Sequence, residues 1–240
     1  MLKISHISCR VDDLYEAANY VEKMGFTIEW GGTGKKSNNF FVWLGEGAFL
    51  EIFSIGQKFA PLILFMKLAY GSIPAKKWWK WFSAKNEWCD FALEEGDENK
   101  TKIESDGKHI LVNIESIKED VRAMGINVSS KTLHWKRKNC RGEYANYSFF
   151  VPENFRLPFI VSRYEPRQKP YKVTHKNGAH KLAYIKVETS KNEYNEMEKL
   201  TKNDKNIILI KGKRTHILEI GIYGLKKDIS IYNAILKAVD

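Results

Sequence analysis

Internal repetition is the feature of this 240-residue sequence that most constrains its fold. In the first pass, residues 3–11 form a β-rich run, and apolar residues then recur at helical spacing over 14–24. Three further strands are predicted at 26–30, 40–44 and 48–55, where short β-rich runs are divided by glycines. The predicted order is therefore strand, helix, strand, strand, strand.

The same order returns in the second half of the chain. A strand is predicted at 87–95, and an apolar stripe at helical spacing follows over 110–124. Further strands are predicted at 126–134, 144–151 and 157–161. A second interpretation stays open, in which 108–114 is the first strand of this pass, because its residues repeat the pattern of the chain's first strand.

A third, shorter pass runs from a strand at 182–188 through a helix at 193–200 to a strand at 206–211. It ends in residues 215–220, which repeat the pattern of residues 49–52 in the first pass. Together these patterns predict an α+β protein of repeated βαβββ modules, whose curved mixed sheets surround a cup-shaped pocket.

Residues 59–82 interrupt the repeats and are predicted to be an inserted helical segment. Three tryptophans, at 78, 79 and 81, lie near the end of this segment. We expect some of them to face the pocket or a subunit interface. The predicted division of the chain is 1–56 for the first module, 57–86 for the helical insertion, 87–165 for the second module, and 166–240 for a linker with a third, partial βαβ-type unit.

Composition limits the class of protein. The hydrophobic fraction of 43% and the charged fraction of 28% are typical of a globular chain, long enough to bury a core without a metal or a disulfide. The three cysteines are far apart and contain no CxxC pair. The N-terminus does not have the pattern of a signal peptide, so a soluble cytoplasmic protein is predicted. The abundance of Lys, Asn and Ile favours a bacterial source.

The formal net charge of +10 and the pI of about 9.3 come from lysines spread along the whole chain. Spread charges are typical of a solvated surface rather than of a binding patch. We therefore expect a small-molecule ligand, with neither nucleic acid nor membrane as a partner. The sequence leaves open whether the chain forms a homodimer.

Several motifs resemble those of a known superfamily. His6-Ile7-Ser8 with Val11-Asp12-Asp13-Leu14 resembles the opening motif of vicinal-oxygen-chelate proteins, which include glyoxalases, bleomycin-resistance proteins and extradiol dioxygenases. Further segments resemble the glyoxalase-like branch of this superfamily, namely Gly31-Gly32, Asn39, Phe49-Leu50-Glu51-Ile52, Leu157-Pro158-Phe159-Ile160 and His175-x-Asn177-Gly178. The resemblance covers most of the chain.

The resemblance implies metal ligands on the first and fourth strands of each module. His6 matches the first-strand ligand of module one and Glu51 the fourth-strand ligand, and both also match acid/base residues. Such a pair suits one divalent metal (Zn, Fe, Mn or Ni), with no metal as the alternative. In module two, Trp88 and Pro158 stand at the matching positions. A third ligand would have to come from His109, His134 or His175, while His180 and His216 fall outside the ligand pattern.

Asn39, Arg141 and His175 are the candidate substrate-binding residues, with Arg137 in the same basic group, because they can hydrogen-bond a polar or anionic ligand. Two functions follow from the resemblance. One is a glyoxalase-like small-molecule enzyme of the lyase, isomerase or dioxygenase type. The other is a non-catalytic small-molecule or drug-binding protein of the bleomycin-resistance type, which the loss of the module-two ligands favours.

Overall fold

A computed structural model describes residues 1–33, 37–45, 47–56, 60–96, 114–170 and 172–240. Within these ranges the elements follow in the order β1 (Leu2–Arg10), α1 (Leu14–Lys23), β2 (Glu29–Trp30), β3 (Asn39–Trp43), β4 (Phe49–Phe53), α2 (Ala60–Tyr70), α3 (Ser72–Ser83), β5 (Glu87–Glu95), α4 (Ile114–Ala123), β6 (Leu133–Lys138), β7 (Tyr144–Phe150), β8 (Phe159–Val161), β9 (Lys181–Ser190), α5 (Tyr194–Thr201), β10 (Ile207–Gly212), β11 (His216–Tyr223), β12 (Ile229–Ile231) and β13 (Ala234–Val239).

Eight strands form one curled sheet in the order β2-β3-β4-β1-β5-β8-β7-β6. In each half the first and last strands pair in parallel, β1 with β4 and β5 with β8. The two halves join along the antiparallel pair β1 and β5. The first half is thus β1-α1-β2-β3-β4, and the second repeats this order with α4 and β6 to β8. This arrangement confirms the predicted α+β fold of βαβββ repeats.

The helix α1 shows how local sequence sets an element. Its buried residues Leu14, Ala17, Ala18 and Val21 lie on one face at helical spacing. The side chain of Asp13 accepts from the backbone N–H groups of Tyr15 and Glu16, which caps the first turn. The chain leaves the helix at Gly25, whose positive φ of 87° favours glycine. The convex face of the sheet is therefore covered by a helix with defined ends.

The two faces of the eight-stranded sheet bury different clusters. Ile7 and Cys9 of β1 and Leu93 of β5 belong to the main core, together with residues of α1, α4 and α5. A second cluster on the concave side contains Ala92, Phe149 and Phe159 and is covered by Met66 and Ala75 of the inserted helices. Because side chains alternate between faces along a strand, the concave side receives every second residue.

The insertion forms a hairpin of two helices, α2 and α3, which pack on one another and over the concave side. This confirms the prediction of a helical segment for its described residues, and Phe59 lies outside them. None of the helices described by the structure is long and apolar enough to cross a membrane.

The third repeat forms a separate five-stranded sheet in the order β10-β9-β11-β13-β12. Its helix α5 contacts β1, and β11 contacts β5, so this unit lies against the convex side of the large sheet. The strands β12 and β13 were not predicted. The proposed division into domains stays a prediction.

One strand of the second repeat was predicted wrongly. Residues 126–132 form no strand apart from a single bridge between Val128 and Pro152, and the strand β6 begins at Leu133. Two backbone hydrogen bonds flank this bridge, from Ser129 N–H to Val151 O and from Glu153 N–H to Asn127 O. Side chains satisfy further carbonyls, since the buried Lys118 Nζ donates to Ser130 O and the Ser129 hydroxyl donates to Lys131 O. The first strand of this repeat is β5, as predicted. The other interpretation, 108–114, falls outside the described residues except for Ile114, which begins α4.

Candidate functional site

The concave side of the large sheet encloses a cavity of about 440 Å³. A cavity of this size suits a small organic molecule. Its polar side comes from the first module and includes His6, Ser8, Asn39 and Glu51. Its aromatic side comes from the inserted helix α3 and from the second module, and includes Trp78, Trp81, Trp135, Tyr147, Phe149 and Phe159.

His6 and Glu51 lie side by side on this concave face. Their strands β1 and β4 are adjacent and parallel, and Ser8 is the register partner of Glu51. The His6 Nε2 and Glu51 Oε2 atoms are 3.4 Å apart. This confirms the prediction that the two strands pair and bring both side chains onto one face.

The His6 ring is almost fully enclosed, with 2% of its surface exposed. It stacks on Phe49 at 4.8 Å and meets the edge of Phe159 at 5.4 Å. Burial lowers the pKa of His6 below its usual value of 6.5, while the nearby Glu51 carboxylate acts in the opposite direction. The imidazole is therefore neutral at neutral pH.

A β-bulge in β1 places Ser5 beside the His6 ring. The register between β1 and β5 shifts between Ile4 and His6, which leaves Ser5 as an extra residue. The Ser5 hydroxyl donates to Glu94 Oε2 at 2.9 Å and lies 3.3 Å from His6 Nδ1. With its hydrogen directed at Glu94, the Ser5 oxygen can accept from Nδ1–H. That tautomer leaves the Nε2 lone pair facing Glu51.

Asn39 forms a hydrogen bond with the other carboxylate oxygen of Glu51. Its Nδ2 donates to Glu51 Oε1 at 2.6 Å. The side chain of Asn39 packs so closely on Gly31 that a Cβ at position 31 would overlap it. The glycine of the paired-glycine motif therefore leaves the space in which Asn39 can orient Glu51.

Arg137 closes the open edge of the half-barrel. It lies on the edge strand β6, and its Nη1 donates to Gly31 O at 2.6 Å across the cavity from β6 to the turn after β2. Its guanidinium lies over the rings of Phe41 and Tyr164, at 4.8 and 5.3 Å. The positive charge also contributes to lowering the pKa of His6. Arg137 therefore supplies the cavity with a fixed cation opposite the first module.

The second module presents different residues from those inferred by resemblance. An extra residue in β5 shifts the register, so that Ser8 is opposite Asp90 and Cys9 is opposite Trp88. Trp88 consequently packs in the main core on the convex side, and Asp90 takes the concave position. On β8 the cavity is lined by Phe159 and Val161, not by Pro158.

The Asp90 carboxylate is already paired with side chains of the inserted helix α3. Lys77 Nζ is 2.5 Å and Trp81 Nε1 is 2.6 Å from Asp90 Oδ2. The Lys77 and Asp90 side chains are 0% and 1% exposed. Burial lowers the pKa of Lys77 to about 7, against the opposing effect of Asp90. The insertion thus uses Asp90, a concave carboxylate of the second module, as an anchor.

Two of the residues expected to bind substrate do not line the cavity. Arg141 lies in an exposed turn, where its Nε donates to Glu143 at 3.1 Å. His175 is buried in the fold, where its Nδ1 accepts from Thr27 N–H and its Nε2 lies 3.0 Å from Trp43 O. Partners that do not line the cavity therefore account for both side chains. Arg137, two residues before the turn that contains Arg141, lines the cavity instead.

The remaining histidines that the structure describes give no third ligand. His134 is exposed on β6 and pairs with the Ser148 hydroxyl at 2.8 Å, and His109 lies outside the described residues. His180 and His216 contact the backbone carbonyls of Gly178 and Arg214, away from the cavity. In the described part of the chain, no group of three or more His, Cys, Asp or Glu side chains could hold a metal ion.

Comparisons with known proteins agree with this architecture. The family model of the glyoxalase-like domain matches residues 4–201. The crystal structure of a hypothetical protein from Staphylococcus aureus superposes with a TM-score of 0.67 at 13% identity, covering 100% of this chain and 99% of that chain. No curated protein matches the sequence.

A Mn(II)-bound glyoxalase from Novosphingobium aromaticivorans shares the fold at a TM-score of 0.53 and 11% identity. The match covers 93% of this chain and 65% of that chain, so the present chain spans just under two thirds of that enzyme's length. The matched family model, the paired modules and the shared fold lead to one conclusion: this chain belongs to the glyoxalase-like domain family of the vicinal-oxygen-chelate superfamily.

Proposed function

We propose that this protein is a small-molecule enzyme that transfers protons on a substrate with vicinal oxygens, as a lyase or isomerase of the glyoxalase type does. The observation that carries the proposal is the His6–Glu51 pair, 3.4 Å apart in an otherwise largely aromatic cavity. Pairs of ionisable groups with perturbed environments are typical of catalytic sites. A dioxygenase is the less favoured class, because the described residues provide only two of the three ligands that a catalytic iron usually has.

In this proposal Glu51 is the base that removes a proton from carbon. Asn39 holds its Oε1, which leaves Oε2 directed towards His6 and the cavity. The neutral His6 can accept this proton from Glu51 at its Nε2 lone pair and pass it to the substrate oxygen, or can orient that oxygen. Arg137 and Asn39 bind the polar end of the substrate, while Trp78, Trp81 and Phe159 exclude water from its apolar part.

The pair also fits two positions around a divalent ion. Two donor atoms bound at roughly 2.0–2.2 Å lie about 3 to 3.5 Å apart in tetrahedral or octahedral geometry. The tautomer that Ser5 favours places two acceptors, His6 Nε2 and Glu51 Oε2, opposite each other, and this tautomer requires that Glu94 is ionised. Burial raises the pKa of Glu94, so the arrangement is favoured above that pKa. When bound there, a metal would polarise a substrate oxygen and stabilise enediolate-like charge.

The test is hydrogen exchange at carbon. A panel of 2-oxo and 2-hydroxy carbonyl compounds is incubated with the protein in D₂O, and deuterium at carbon is followed by NMR. At least one compound should exchange, and Glu51→Gln should slow the exchange by about 100-fold or more, the size of a general-base effect. Glu153→Gln, which changes an exposed carboxylate outside the cavity, is the matched control.

A binding protein without chemistry is the second candidate. The observation in its favour is that the second module lines the cavity with Phe159 and Val161, while its concave Asp90 is taken by Lys77. Calorimetric binding of a compound that shows no exchange or conversion, with equal affinity for wild type and Glu51→Gln, would establish this function and refute the enzymatic one.

A further inference from the structure

The hairpin of α2 and α3 carries an apolar surface on the side that faces away from the cavity. On α2, Leu64, Phe65 and Leu68 lie on one helical face and are 62%, 58% and 78% exposed. The opposite face of the same helix is in contact with the protein, because Met66 is buried and Leu62 lines the cavity. A helix that is apolar on both sides is normally covered on both sides.

The charged side chains of the hairpin itself are all positive. Positions 52–86 contain no aspartate or glutamate. Lys67 and Lys76 are exposed on the hairpin, and neither forms an ion pair within the part of the chain that the structure describes. On α3, Trp79 is 56% exposed and stacks on Phe82 at 5.9 Å. Exposed leucine, phenylalanine and tryptophan beside lysines are typical of helices that lie in a membrane interface.

We propose that this hairpin binds the surface of an anionic membrane, contrary to the expectation from the spread of charge along the sequence that no membrane is a partner. A second copy of the chain suits the surface less well. A symmetric dimer would bring Lys67 and Lys76 of two copies towards each other, and positions 52–86 offer no acidic partner. An anionic lipid surface accepts the apolar side chains and also neutralises the lysines. With 11 and 12 residues, α2 and α3 lie on the bilayer and do not span it.

The position of the hairpin gives this contact a consequence. The same two helices line the cavity with Leu62, Trp78 and Trp81. A membrane on their outer side therefore lies next to the cavity, and a ligand that partitions into the interface would reach it over a short path.

The experiment is co-sedimentation of the purified protein with vesicles of phosphatidylglycerol and phosphatidylcholine in equal parts, and with vesicles of phosphatidylcholine alone. Wild type should sediment with the anionic vesicles and weakly with the neutral ones. Leu68→Glu should reduce the partition coefficient by about tenfold or more, since it places a charge in the buried face. Lys67→Gln should reduce it by about fivefold.

Ile235→Glu is the matched control, because Ile235 is 40% exposed on β13, in the other sheet, and its change should leave sedimentation unaltered. Leu68 and Ile235 are both exposed, so the urea midpoints of Leu68→Glu and Ile235→Glu should agree with wild type and show that each variant folds. Equal sedimentation of wild type and Leu68→Glu, or no sedimentation of wild type, would refute the proposal. A wild-type dimer in ultracentrifugation that Leu68→Glu dissociates, with no vesicle binding, would show that a second copy covers the surface.

Discussion

Replacing Lys77 with methionine is the most direct test of how the inserted helices are fixed over the cavity. Lys77 contacts Asp90 at 2.5 Å and donates to the backbone carbonyls of Leu157 at 2.7 Å and Phe155 at 3.1 Å. All three acceptors belong to the second module or to the loop that leads into β8. Methionine fills a similar volume, so the change removes the charge and the hydrogen bonds and leaves most of the packing.

The expected loss of stability follows from these contacts. Removing one partner of a buried ion pair typically costs about 3–5 kcal/mol, because the other charge stays buried and unpaired. Asp90 keeps the hydrogen bond from Trp81 and a contact with Lys80 at 3.3 Å, which reduces the cost. The two carbonyls lose their donor, at roughly 1 kcal/mol each. We therefore expect Lys77→Met to lower the free energy of unfolding by about 3–5 kcal/mol.

Urea unfolding followed by tryptophan fluorescence measures this free energy, at a pH of about 6, where Lys77 is below its pKa of about 7 and therefore charged. Lys76→Met is the matched control, since the neighbouring lysine is exposed, and should change the free energy by less than about 0.5 kcal/mol. Lys77→Met with Asp90→Leu should recover part of the loss, because no unpaired charge remains. A loss below about 1 kcal/mol for Lys77→Met would refute the reasoning.

Two further predictions concern His6. Mn(II), the ion named for the Novosphingobium structure, should bind the metal-free protein weakly or substoichiometrically in calorimetric titration and mass spectrometry. His6→Ala and Glu51→Gln should each abolish this binding and His180→Ala should leave it unchanged, so equal uptake by wild type and His6→Ala would contradict the ligand assignment. Burial lowers the pKa of His6 in the folded state, so as pH falls below about 6.5 the unfolded chain binds the proton first. The free energy of unfolding should therefore fall more steeply below this pH for wild type than for His6→Gln, and parallel urea-midpoint profiles would contradict it.

The sequence by itself determined the repeat architecture and one half of the site. Period-3.6 patterns predicted α1, and the β-rich runs predicted β1, β4 and β5, because local alternation of apolar side chains records which face of an element is buried. The family resemblance of the motif around His6 and the position of Glu51 on the fourth strand of the same module were enough to predict that the two side chains meet. The tryptophan-rich segment was predicted as helical, but only the fold decides that Trp78 and Trp81 line the cavity while Trp79 faces outwards.

Tertiary structure decided the other half of the site, which the second module contributes. Side chains alternate with a period of two along a strand, so one extra residue exchanges the two faces of the sheet. Such a bulge in β5 places Asp90 on the concave face and Trp88 in the core. Whether Arg137 or Arg141 reaches the cavity depends on where β6 ends and its turn begins. His175 is fixed by hydrogen bonds to residues about 130 to 150 positions away, and spacing along the chain contains no record of such contacts.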